Sequence, residues 1–171
     1  NTFMATLNKD DEVIIPAPYW VSYPDMVLLA GGKPKIIKCD EKDGFKLTAK
    51  KLLEAINEKT KWFILNSPSN PTGSCYTESE LSDLAEVLLN YPHVNIMSDD
   101  IYEHLVYDDF KFKTIAQFDS KLLNQTLTIN GVSKAYAMTG WRIGYAAGNK
   151  ELIKAMGKLQ SQSTSNPSSI S

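Results

Sequence analysis

Short apolar runs alternate with longer stretches of helical periodicity along the chain. Glu12-Val-Ile-Ile-Pro16 is a compact apolar run bounded by turn residues, the pattern of a buried strand. Tyr23 to Ala30 reads as helical and stops at Gly31-Gly32, which serves as a C-terminal cap. Pro34 to Lys38 forms a second strand pattern. Thr48 is a good N-cap for a helix that carries Leu52, Leu53 and Ile56 on one face. Lys61 to Leu65 predicts a third strand and Val94 to Met97 a fourth. Between them, Thr77-Glu-Ser-Glu80 makes a capping box, in which threonine and glutamate satisfy each other's free backbone donors. Leu81, Leu84, Val87 and Leu88 then form the apolar stripe of that helix. Thr126 to Ile129 is the fifth strand, Arg142 to Ala147 the sixth, and Glu151 to Leu159 begins another helix. Asn1 to Leu7 reads as the tail of a helix without a start signal.

This alternation predicts an α/β fold, with a mainly parallel sheet covered by helices on both faces. A chain of 171 residues supports one sizeable core. No repeat or linker divides it, so residues 1–171 read as one domain.

Composition removes several functional classes. Hydrophobic residues make up 43% and charged residues 22%, the net charge is −2, and the lysines are scattered. Nothing in that pattern calls for nucleic acid or an anionic membrane surface. No apolar run approaches the roughly 20 residues of a membrane span, and the N-terminus carries no signal-peptide pattern. Cys39 and Cys75 lack metal-ligand spacing and read as reduced, bystander thiols of a cytoplasmic protein, with no metal site expected.

In an open parallel sheet, ligands bind beyond the carboxyl ends of the strands. Pro18-Tyr19-Trp20 follows the first strand, and Asn66-Ser-Pro-Ser-Asn-Pro-Thr-Gly73 the third. Ser98-Asp99-Asp100-Ile-Tyr102 follows the fourth, and Asn130-Gly-Val-Ser-Lys134 the fifth, with Arg142 eight residues beyond Lys134. Taken singly, each residue has an ordinary explanation: a solvated lysine, a turn aspartate, a core tryptophan. Together they bring an aromatic face, an amide, a carboxylate, a phenol, an amine and a guanidinium to one rim. That set suits pyridoxal phosphate, which needs a lysine amine for a Schiff base and a carboxylate for its pyridine nitrogen. It also needs an aromatic face and a cation for its phosphate. His93 and His104 read as structural or surface residues.

The segments Asn66 to Gly73, Ser98 to Glu103 and Ser133-Lys-Ala-Tyr-Ala-Met-Thr-Gly-Trp-Arg-Ile-Gly-Tyr145 resemble the signatures of class I aminotransferases, nearest the prokaryotic-type aspartate aminotransferases. Ala17 to Pro24 matches the same group, so the likeness covers essentially the whole chain. It implies the large domain of the pyridoxal phosphate-dependent transferase fold, a three-layer α/β/α architecture. It also implies a homodimer acting on an amino acid and a 2-oxo acid, aspartate and 2-oxoglutarate first. By this resemblance Lys134 holds the cofactor and then moves the proton. Asp99 keeps the pyridine nitrogen protonated, Tyr102 and Asn70 bond the ring oxygen, Trp20 stacks on the ring, and Arg142 binds the phosphate. The resemblance further implies a cis Asn70–Pro71 bond.

Two positions depart from the family pattern. Asp100 stands where glutamate is usual, and Gly131 stands where some branches carry a phosphate-binding serine, leaving Ser133 as its substitute. The family's glycine-rich phosphate loop, the arginine for the substrate carboxylate and the small domain are not found in these residues, so the chain reads as a partial large domain. Two rival readings stand beside transamination. One is another enzyme of this cofactor fold, such as a carbon–sulfur lyase or an aminocyclopropane-forming synthase. The other is a catalytically incompetent, cofactor-binding piece prone to self-association through exposed apolar surface.

Overall fold

The computed structural model describes all residues, 1–171. Its elements in order are α1 (Thr2–Thr6), β1 (Glu12–Ala17), α2 (Ser22–Leu29), β2 (Lys33–Lys38), α3 (Ala49–Ala55), β3 (Thr60–Asn66) and α4 (Glu78–Leu89). There follow β4 (Asn95–Asp99), α5 (Ser120–Gln125), β5 (Thr126–Gly131), β6 (Gly144–Ala147) and α6 (Lys150–Ser161). One six-stranded sheet has the order β2-β1-β3-β4-β5-β6. The first five strands pair in parallel, and β6 runs antiparallel along β5.

Strand alternation divides the core between the two faces of the sheet. Ile14, Phe63, Leu65 and Ile96 point to one side, where Leu52 of α3 and Leu81, Leu84 and Leu88 of α4 cover them. Val13, Ile15, Trp62, Ile64 and Met97 point to the other, against Phe3, Tyr23 and Val27, with Leu152, Ile153 and Met156 of α6 at the margin. Both faces are buried, which explains why the central strands read as continuous apolar runs. The capping box forms as expected, with Thr77 and Glu80 each accepting from the other's backbone N–H. Thr48 likewise caps α3 by accepting from Lys51 N.

The structure corrects two expectations and adds one helix. Leu53 is 50% exposed, because a helix as short as Ala49–Ala55 buries a single narrow stripe through Leu52 and Ala55. The short helix α5 was not foreseen, since Leu122 is its one buried residue and six positions are too few to show a period. The sixth strand begins at Gly144 and not at Arg142, whose φ of 57° lies in the left-handed region and cannot continue a strand. That strand is also antiparallel to its neighbour. No helix is long and apolar enough to cross a membrane, and both cysteines are free thiols.

Candidate active site

The strand order turns back between β1 and β3, so the connections after these strands leave a crevice at the sheet's carboxyl edge. From β1 the chain passes through a cis Ala17–Pro18 bond to Trp20, which lies just before α2. From β3 it passes into a loop with cis bonds at Ser67–Pro68 and Asn70–Pro71, the second of which the sequence had suggested. Asn66 and Asp99 are partners in the β3–β4 register, so the ends of these strands lie side by side. Lys134 sits in the turn that follows β5, its carbonyl accepting from Ala137 N.

A cavity of about 140 Å³ at this edge is lined by Trp20, Asn70, Asp99, Tyr102 and Lys134, together with Tyr23, Asn66 and Ile101. The Lys134 ammonium lies 5.5 Å from the centre of the Tyr102 ring. Asp99 is partly buried. Burial raises its carboxyl above the usual range, while hydrogen bonds from the Tyr23 hydroxyl and the Ile101 N–H pull the other way. No cation contributes to that balance. A desolvated carboxylate without a cationic partner favours a positively charged group beside it.

Two of the expected residues lie elsewhere. Arg142 is exposed, and its guanidinium donates to the Thr139 carbonyl at 2.7 Å, folded back on its own turn. It borders a separate groove with Trp141, Gln160 and Ser171. Ser133 is partly buried beside Lys134 but does not line the cavity. Gly131 has a steric reason for departing from serine. A Cβ there would lie 2.9 Å from the Ile143 carbonyl oxygen, where β6 closes on β5.

Two residues in the cavity wall had been given no role. Asn66 Nδ2 donates to the Asp99 carbonyl at 2.9 Å, and its Oδ1 accepts from Asn70 N at 2.8 Å. One amide thus ties the β4 end to the loop that carries Asn70. The signal available in the sequence was its position, a lone amide closing the apolar run of β3. The other is Tyr23, whose hydroxyl donates to Asp99 Oδ2.

Asp100 turns the opposite way from Asp99, into the core, and is only 3% exposed. Ser98 donates to its Oδ1 at 2.7 Å. The Thr114 hydroxyl tempers the charge nearby but lies outside hydrogen-bonding geometry, and Glu103 and Asp99 add negative charge. Burial above all pushes this carboxyl up to about 6. The folded state therefore holds the proton more tightly than the unfolded chain, and stability falls as pH rises from about 4 to about 6. Asp100→Asn keeps the Ser98 bond and cannot ionise. It is expected to be more stable than wild type at pH 7, by up to roughly 3 kcal/mol, and to melt correspondingly higher, with the difference vanishing near pH 4. Thermal melts across that range check this, and an unchanged difference at both ends would remove Asp100 as the titrating group.

The model of the aminotransferase class I and II family matches residues 1–171. The chain belongs to that family. An aspartate/prephenate aminotransferase of Cereibacter sphaeroides is 67% identical over 170 residues, covering 99% of this chain and 42% of that protein. An aspartate aminotransferase of Rhizobium meliloti is 60% identical over the whole chain and 42% of its own length. The crystal structure of the aspartate aminotransferase from Rhizobium meliloti superposes with a TM-score of 0.97 at 60% identity, over 99% of this chain and 42% of that one. An aromatic aminotransferase from Pyrococcus horikoshii reaches 0.92 at 40% identity, over 97% and 44%. The chain thus spans less than half the length of these aminotransferases.

Proposed function

We propose that these residues form the cofactor-binding core, a partial large domain, of a pyridoxal phosphate-dependent aminotransferase. The whole enzyme would move an amino group from an amino acid, aspartate first, to a 2-oxo acid such as 2-oxoglutarate. The observation that carries this reading is the convergence of Trp20, Asn70, Asp99, Tyr102 and Lys134, from four strand ends, on one cavity. The donor set fits the cofactor: an amine, an indole face, two ring-oxygen partners and a desolvated carboxylate awaiting a cation.

When bound, pyridoxal phosphate supplies an electron-withdrawing ring that acidifies the α-carbon of an attached amino acid. Lys134 Nζ would hold the cofactor at its carbonyl carbon and, once released by substrate, would take up and return the α-proton. Asp99 keeps the pyridine nitrogen protonated, which stabilises negative charge as it spreads from the α-carbon. Tyr102 and Asn70 hydrogen-bond the ring oxygen, and Trp20 covers the ring face. Arg142 and Ser133 are assigned to the phosphate, Arg142 by exchanging the Thr139 carbonyl for the anion. A cavity of about 140 Å³ is smaller than the several hundred Å³ of an ordinary ligand site. The whole enzyme is read as a homodimer, as the family resemblance implies. A cytoplasmic setting completes the reading.

Because relatives on this fold are named for aspartate, prephenate and aromatic substrates, the acceptor needs a direct test. The full-length protein is loaded with pyridoxal phosphate, reduced with borohydride and mapped by peptide mass. A separate, unreduced portion is incubated with aspartate and either 2-oxoglutarate or prephenate. We expect one adduct, on Lys134, and oxaloacetate formed in step with the aminated acceptor. Release of ammonia or ring closure would instead identify a lyase or synthase. Adducts scattered over surface lysines, unchanged in Lys134→Ala, would reject the site.

A further inference from the structure

Tyr23 meets the side chains of two residues assigned to the cofactor. Its hydroxyl donates to Asp99 Oδ2, and its ring meets Trp20 edge to face, with centroids 5.4 Å apart and planes at 88°. It is 3% exposed and sits in the first turn of α2, held among Val13, Ile15 and Val27. It is therefore anchored from below by the sheet core, while its polar end reaches the cavity. Nothing in the transamination chemistry requires a second phenol at this point.

We propose that Tyr23 is a positioning residue that fixes the Asp99 carboxylate and the Trp20 ring relative to each other, leaving Asp99 Oδ1 free to serve a pyridine nitrogen. The proposal rests on reading the site as a pyridoxal phosphate centre. The division of labour between the two oxygens follows from the donors. Oδ2 takes the phenol at short range, whereas Oδ1 has only a long 3.4 Å contact from Ile101 N and keeps acceptor capacity free. Burial and the adjacent carboxylate push the Tyr23 phenol upward, so it stays protonated and remains a donor throughout the neutral range. A hydrogen bond to a charged acceptor is among the stronger kinds, and it also restricts the carboxylate's rotation.

Loss of this donor makes Asp99 a stronger base, since a hydrogen bond to the ionised form favours that form. With the cofactor bound, Asp99 would draw the pyridine proton toward itself and the ring would carry less positive charge. The nitrogen that Lys134 would contribute to the cofactor would become more basic. In the full-length, cofactor-loaded protein, Tyr23→Phe keeps the edge-to-face packing and removes only the hydroxyl. We expect the pH midpoint of the bound cofactor's visible absorption change to rise by about one unit, and cofactor affinity to fall about tenfold. kcat should fall while KM changes little.

The double variant separates positioning from general support. In an Asp99→Asn background, Tyr23→Phe should add almost nothing to either readout, because its effect runs through the carboxylate. Additive losses in the double variant, or a Tyr23→Phe protein that titrates and binds as wild type does, would overturn the proposal while leaving the cofactor site intact. If the wild type takes up no cofactor at Lys134, the site reading falls and this inference falls with it. Thermal melting identifies a variant that has failed to fold. Tyr23→His, which retains a ring and a donor, should then restore part of the affinity, and its failure to do so in a folded protein counts against the hydrogen bond.

Discussion

Replacing Lys134 by alanine in the full-length protein is expected to reduce transamination by at least about 10⁴-fold, the largest effect of any single change in this chain. On the proposed function two roles would be lost together: the covalent hold on the cofactor and the group that moves the α-proton. The loss should fall almost wholly on kcat, because Asp99, Tyr102, Asn70 and Trp20 still line the cavity. Lys134→Arg is the informative partner. It keeps the positive charge near the Tyr102 ring, where the lysine now lies at 5.5 Å. A guanidinium does not deprotonate at accessible pH, however, so it can neither attack a carbonyl carbon nor accept a proton. Both variants should be similarly inactive, with the arginine protein no less stable than wild type. Lys134 is exposed, so its replacement should leave the fold intact, and circular dichroism with steady-state rates decides the matter. An arginine variant with substantial activity would show that Lys134 acts as a charge alone.

The second large effect concerns Asp99, where activity and stability are expected to move in opposite directions. Asp99→Asn preserves shape and still accepts from the Tyr23 hydroxyl, but it removes the negative charge. With a neutral partner the pyridine nitrogen loses its reason to stay protonated. kcat is expected to fall by about 10³-fold and cofactor affinity by about 10-fold or more. Stability of the cofactor-free protein should respond differently. Burial raises the Asp99 carboxyl in the fold, so the unfolded chain ionises more readily than the folded one. The folded state therefore loses stability as pH rises through that raised value. Asp99→Asn escapes this loss and should melt at or above the wild-type temperature at pH 7 once the cofactor is removed. A residue kept for packing would show both quantities falling together. Parallel decreases in rate and in melting temperature would assign Asp99 a structural role.

Much of this protein was legible without coordinates, wherever the deciding physics is local. The Thr77–Glu80 capping box and the Thr48 cap depend on residues a few positions apart, and both formed as expected. The runs Val13–Ile15 and Phe63–Leu65 read as doubly buried strands because apolar residues fall on both alternating faces. The ordered set Trp20, Asn70, Asp99, Tyr102 and Lys134 was visible because each follows a predicted strand and sheet ligands gather at such ends. Length limited the rest. Six residues of α5 and a single buried leucine carry too little periodicity to stand out.

What only the tertiary structure decided are relations between distant residues. The antiparallel placement of β6 requires knowing which strand it meets. So does the crowding at Gly131, which comes from the Ile143 carbonyl across that pair. Arg142 was given the phosphate by family resemblance, yet a left-handed backbone turn lets its guanidinium satisfy a carbonyl three residues back. Asn66 offered only its position at the end of an apolar run and Tyr23 no signal at all, and their contacts with Asp99 arise only because β1, β3 and β4 end side by side. The Tyr23–Asp99 hydrogen bond joins residues 76 positions apart. Local propensity and period specify elements and the ends at which chemistry collects. The partner of each polar group depends on strand order and register, which are set by burial of the whole core.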